Sequence, residues 1–401
     1  MPNPNSVVEL LSQLVQIPSV NPMGRDLSGP EFYEGRVTKY LLEFFAALGV
    51  PHEEIEVVPG RSSNVIARLD SSGGATQTIL MDAHTDTVPV DGMTIPPFGG
   101  EIRDGRVWGR GSCDVKGGLA AMLWAFKRLS EERPAGMPNV VMSCTCDEEA
   151  TTLGINDLVR CWADGRSKLI TTPPTGAIIA EPTELDVVVA HRGAVRFKIR
   201  TAGRACHSSD PTQGLNAIYR MAHVVTALEE YAPKLSASRD PHPLVGPPTL
   251  SVGMIYGGAS VNVVPDDCAI EIDRRLIPGD DAEEAVSDIR KFLTERLDFD
   301  FEFEPPWLSS PTLDDSDNGW LATALLAHIE PVAGTHKTLG VPYGTHASRT
   351  CASGIPSVVF GPGSIEQAHT KDEWIEIDQL EKASEVYFRF CSNPLANSIQ
   401  E

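Results

Sequence analysis

Two histidines and five acids stand where this chain could use them to hold metal ions and move a proton. His84 and Asp86 follow the apolar run TILMDA, Glu148 and Glu149 follow VVMSCTCD, and Glu181 follows AIIA. His369 comes a few residues after SVVFGPG. Asp114 arrives separately, in the glycine-rich loop GRGSCDVKGG at 109–118. Nitrogen and oxygen donors without thiolate suit Zn²⁺, Mn²⁺ or Co²⁺. A close pair of ions needs a bridging carboxylate, and a short Asp on a Gly-flanked loop such as Asp114 fits that place. Glu148 and Glu149 cannot both point at one spot in an extended segment, so one would ligate while the other carries a proton.

The elements that must position these groups are legible as patterns. Apolar residues recur at a helical period over Val7 to Val15 and over residues 32–49, where Gly49 is a natural stop. The segment 117–129 is a third amphipathic helix. Short apolar runs at 65–67, 78–81, 140–142 and 177–180 read as buried strands. Strands alternating with helices predict an α/β fold, a sheet between helical layers. In such sheets ligands bind beyond the carboxyl ends of the strands. That is where four runs each deliver an Asp, Glu or His. Singly, each of these residues is most often a solvated carboxylate or a satisfied histidine; their joint placement is not what chance supplies.

From about 188 apolar and polar residues alternate, with helices expected at 215–231 and 281–297. This predicts an α+β module over 188–307, inserted into a domain formed by 1–187 and 308–401, with Pro305-Pro306 marking the return.

The charge balance, 33 Lys+Arg against 55 Asp+Glu for a net −22, argues against nucleic-acid binding. No run approaches the length of a membrane span. The start lacks a basic residue before Arg25, unlike a secretory signal. Eight scattered cysteines with no Cys-x-x-Cys pair suggest reduced, buried side chains and a cytoplasmic protein.

The stretches HTDTVP, GRGSCDVKGG, DEEA, AEPT, GRACHSS, NVVPD, DRRLIPG and GPGSIEQAH occur in order from 84 to 369. Together they resemble the dinuclear-zinc amidohydrolases that include acetylornithine deacetylase, succinyl-diaminopimelate desuccinylase, aminoacylase and glutamate carboxypeptidase. The GPGSIEQAHTKDEW segment is most similar to the first of these. The resemblance implies a three-layer α/β/α catalytic domain with an inserted lid and dimerisation domain. It implies that His84 and Glu181 bind one ion, Glu149 and His369 the other, and that Asp114 bridges them. Glu148 would be general base and acid, and Asp86 would orient the His84 imidazole. The Asp114-Val115 peptide would be cis. In the insert, His207 would steady the oxyanion, commonly from a partner subunit, while Asn262 and Arg275 would bind the substrate's carboxylate end.

The implied activity is hydrolysis of an N-acyl amino acid by a homodimer, with Zn²⁺ and, as substitutes, Co²⁺ or Mn²⁺. A dipeptidase or carboxypeptidase would use the same residues, and a metal-free binding protein on this fold would lack one of them. One departure concerns Gly344-Thr345-His346, near which many relatives carry an acidic residue. His346 either alters substrate selection or is a neutral replacement.

Overall fold

The computed structural model describes residues 4–393. The first three and last eight residues, the outer ends of the expected catalytic domain, lie outside the described residues. The described residues fall into two compact units, one within the ranges 1–189, 315–339 and 345–401 and the other formed by 190–314 with 340–344.

The first unit is built on an eight-stranded sheet. Its order is His52–Val58, Ser62–Leu69, Asn139–Thr145, Thr78–His84, Gly176–Ile179, Ser357–Val359, Val187–His191 and Thr338–Val341. The third to sixth of these strands are mutually parallel. They are buried along their length, as strands covered on both faces must be. Alternate residues take opposite faces. Ile79, Met81 and Ala83 join the large core formed with helices Val7–Val15, Gly35–Leu48, Lys116–Glu132, Gly319–Ala333 and Ile377–Ser392. Asp82 and His84 therefore face the other side, where the short helices Leu153–Leu158 and Ala347–Ala352 pack. This is the three-layer α/β/α arrangement expected from the sequence.

The helices begin and end where local chemistry dictates. Ser6 caps the first through a bond from Glu9 N, and Gly49 ends the second in the left-handed region at φ 67°. At the start of Lys116–Glu132, a Cβ on Gly118 would lie 2.7 Å from Ala180 Cβ, so only glycine allows the helix this close to the strand end before Glu181. Lys116 is buried, and its ammonium donates to the carbonyls of Leu14 (3.1 Å) and Ile17 (2.7 Å) at the end of the first helix.

The second unit is an α+β module. Its sheet order is Thr249–Gly257, Asp267–Leu276, Gly193–Ala202 and Glu302–Phe303, with Leu308–Ser310 also pairing with Gly193–Ala202. One face buries Phe197, Ile199, Ile270 and Ile272 against helices Ala217–Ser236 and Ala282–Thr294. The other carries directly opposed pairs, Arg196–Asp273 (2.8 Å) and Lys198–Glu271 (3.2 Å). The unit continues past Pro305-Pro306, where the sequence pattern suggested it ends, because Leu308–Ser310 adds to its sheet. Residues 340–344 rejoin it, with Arg192 N donating to Val341 O.

Candidate metal centre

His84 is the last residue of the strand Thr78–His84, and Glu181 lies two residues beyond Gly176–Ile179. Each is less than a tenth exposed. Asp114 enters from the 109–118 loop through a cis Asp114–Val115 peptide. Its Oδ1 lies 3.2 Å from His84 Nε2, and its Oδ2 lies 3.3 Å from His369 Nε2. His369 Nε2 is also 3.2 Å from Glu149 Oε2. Two triads follow, His84–Asp114–Glu181 and Asp114–Glu149–His369, with donor atoms of each within 4.8 Å of one another. Asp114 belongs to both.

Electrostatics within the cluster fit a cation. Burial and the Asp114 charge push Glu149 up to about 7, and the same two causes hold Glu181 well above the usual carboxylate range. Burial, opposed by His84, together with the charges of Glu149, Asp86 and Asp114, pushes Glu148 up to about 8. Burial alone would raise Asp114, yet hydrogen bonds from His369 and His84 hold it below its usual value. His369 rises to about 10 through its bonds to Asp114 and Glu149. Glu149 Oε1 is buried and has no hydrogen-bond partner among the described residues. Glu149 and Glu181, crowded carboxyls that resist ionisation, form with Asp114 and the two histidines a donor set that divalent ions would satisfy, and an ion would also give the orphaned Glu149 oxygen a partner.

Asp86 does more than the sequence suggests. His84 Nδ1 lies 3.0 Å from the Asp86 carbonyl and 3.5 Å from its carboxylate. That carboxylate accepts the backbone N–H groups of Glu148 (3.0 Å) and Glu149 (3.1 Å), and the Asn21 amide at 2.9 Å. It thus fixes the turn that separates the two glutamates. Asn21 also reaches Asp147, which is paired with Arg61. Asn21 has no local signature, and pattern reading missed it.

His346 is buried beneath the strand ends. Its Nδ1 is 2.9 Å from Asp82 Oδ2, while Ser143 and Thr145 hydroxyls also donate to Asp82. Its ring stands edge-on to that of His84, with centroids 6.3 Å apart. His346→Leu removes one of the hydrogen bonds to the buried Asp82 and leaves it the Ser143 and Thr145 hydroxyls. It is expected to lower stability by about 1–3 kcal/mol in urea unfolding; an unchanged midpoint would refute this pairing.

The remaining expected residues lie in the second unit. His207 and Asn262 adjoin: strand Cys206–His207 pairs with Val263–Val264, and Ser208 N donates to Asn262 O. His207 Nδ1 accepts from Ser209 N and lies 2.8 Å from Ser209 Oγ. Arg275 Nε pairs with Asp273 at 2.7 Å. Arg192 is a neighbouring cation that sequence reading did not single out; burial and the Arg275 charge lower its pKa.

The model of peptidase family M20/M25/M40 matches residues 80–393. An acetylornithine deacetylase from Vibrio campbellii is 31% identical over 399 residues, covering 96% of this chain and 97% of its own.

The chain belongs to the M20/M25/M40 family.

As an M20-type protein it is a hydrolase acting on amide bonds. Its fold is that of solved M20 structures. The aminopeptidase PepT from Bacillus cereus superposes with a TM-score of 0.75 at 22% identity, covering 96% of this chain and 97% of that one. A Bacillus subtilis protein described as a dinuclear metal binding peptidase of the M20 family gives 0.66 at 17% identity, covering 96% of each.

Proposed function

We propose that this M20 hydrolase cleaves the amide bond of an N-acyl amino acid, releasing a carboxylate and a free amino acid. The observation that carries this reading is the pair of triads sharing Asp114. The full-length likeness to acetylornithine deacetylases supports the acyl-amino-acid substrate.

His84 and Glu181 would hold one divalent ion and Glu149 and His369 a second, with Asp114 common to both; Zn²⁺ suits these donors best, and Co²⁺ or Mn²⁺ are substitutes. Such ions supply Lewis-acid polarisation of the carbonyl and lower the pKa of a nearby water. Glu148 accepts a proton from the attacking water at its carboxylate and returns it to the leaving nitrogen. Asp86 holds Glu148 and Glu149 apart through their backbone N–H groups. His207 donates from Nε2 to the developing oxyanion. Arg275 and Asn262 receive the substrate's carboxylate end.

The proposal includes a homodimer formed through the second unit. Among the described residues, strand Thr249–Gly257 is a sheet edge that pairs with Asp267–Leu276 alone, and it exposes Met254, Ile255 and Tyr256. An open, apolar edge is a template for pairing with another strand. Ile255→Lys is expected to convert a dimer to a monomer in sedimentation velocity; a wild-type protein that sediments as an active monomer would overturn this part. Six of the eight cysteines are buried, as small apolar side chains are, which supports work in a reducing compartment such as the cytoplasm.

No helix among the described residues is long and apolar enough to cross a membrane. A hydrolysis panel with added Zn²⁺ or Co²⁺ tests the reading. N-acetylornithine, N-succinyl-diaminopimelate, N-acetyl amino acids and dipeptides are compared by release of free amine. Preference for an N-acyl amino acid is the expected result. Preference for dipeptides would replace it with a dipeptidase, and metal-loaded protein inert on all of them would refute it.

A further inference from the structure

We infer that Glu373 is a positioning residue that sets the affinity of the metal centre by holding Asp114 and the His369 segment in register. The inference rests on the two-triad reading of the site. Glu373 is fully buried, and its side chain reaches a loop some 260 residues earlier in the sequence. One carboxylate oxygen accepts the backbone N–H groups of Cys113 (2.8 Å) and Asp114 (2.9 Å). The other accepts Gly111 N (3.0 Å) and Arg110 Nη1 (2.7 Å). Its own carbonyl accepts Gly109 N at 2.9 Å. Five positions of the loop that ends in Asp114 (Gly109, Arg110, Gly111, Cys113 and Asp114) are therefore tied to one residue, while Arg110 N also donates to Pro97 O.

The tie extends to the second triad. Arg110, held by Glu373 through Nη1, donates from Nη2 to the carbonyl of Thr370 (3.1 Å), next to His369. The 369–373 segment thus meets the 109–114 loop at both of its ends. Gly109 and Gly111 take positive φ values, 137° and 82°, a path that backbone N–H groups can follow around a carboxylate. A buried carboxylate satisfied by three N–H groups and a guanidinium is a rigid joint, because losing it would leave several buried donors unpaired. It touches no group that would meet substrate. Its effect on the site runs through Asp114 and His369.

Glu373→Gln keeps the shape and removes the charge. Its amide NH₂ would face donors it cannot accept from. Outer-shell partners of this kind change metal affinity by about ten- to hundred-fold. The full-length variant is freed of metal and titrated with Co²⁺, following heat and the visible absorption of bound cobalt. Thr201→Val is the control, since it removes a buried hydrogen bond to Ala217 O within the second unit. The expected result is Co²⁺ affinity lowered by about ten- to hundred-fold in Glu373→Gln, with an altered cobalt spectrum, and wild-type affinity in Thr201→Val. Unchanged affinity and spectrum in Glu373→Gln would overturn the inference, as would an equal loss in the control. If Glu373→Gln does not fold, Arg110→Lys is titrated instead, because lysine cannot reach both Glu373 and Thr370 O. Weaker binding would sustain the inference and wild-type binding would overturn it. Failure of the wild-type protein to bind two ions would instead be a failure of the metal-centre reading itself.

Discussion

Glu148→Gln should keep both metal ions and lose turnover by about 10²–10⁴-fold, the range that a positioned general acid–base supplies. Its carboxyl belongs to neither triad, so metal content should not move. Its backbone is fixed by Asp86, and glutamine preserves that bond, so folding should also survive. What is lost is the ability to take a proton from water and pass it to the leaving nitrogen. Ion counting by mass spectrometry and single-turnover hydrolysis separate the two effects. A variant that loses its metal would show Glu148 to be a ligand. A variant that retains near wild-type turnover would remove it from the reaction.

Asp114→Asn should have the opposite signature. Asp114 is the only residue common to the two triads, with one oxygen 3.2 Å from His84 Nε2 and the other 3.3 Å from His369 Nε2. Asparagine offers one neutral oxygen and a donor NH₂, so neither ion would keep a charged bridge. Fewer than one ion per chain should survive dialysis, and amide hydrolysis should fall to background. Without the Asp114 charge, one of the causes that raise Glu149 and Glu181 also disappears. His369→Ala is the comparison. It should cost one ion and leave the His84 side occupied. Two tightly held ions in Asp114→Asn would show that the shared carboxylate does not bridge.

The candidate site residues were legible because a sheet rule and a composition rule point at the same positions. His84, Glu148, Glu149 and Glu181 each follow a run of buried apolar residues, and carboxyl ends of parallel strands are where a sheet gathers ligands. Asp114 was legible as an acid in a loop of glycines, where the backbone can bend sharply. The groups that hold them were not. Glu373 stands in KDEW, which has no periodicity to distinguish it from an exposed acid, and its bonds go to a loop about 260 residues away. Asn21 and His346 are similar cases: their importance lies in partners at Asp86 and Asp82 that only the folded chain supplies.

The far end of the inserted unit is set by pairing that local composition does not show. Pro305-Pro306 looked like a joint, but Leu308–Ser310 immediately resumes pairing with Gly193–Ala202. Hydrogen bonds between segments distant in sequence decide where a unit ends, and local composition does not record them.

The most direct test of the central claim is a count of ions. Metal-free protein is titrated with Zn²⁺, and bound zinc per chain is measured after removal of excess. Two equivalents per chain are predicted, one for each triad around Asp114. Saturation at one equivalent or fewer would contradict a centre in which Asp114 serves both.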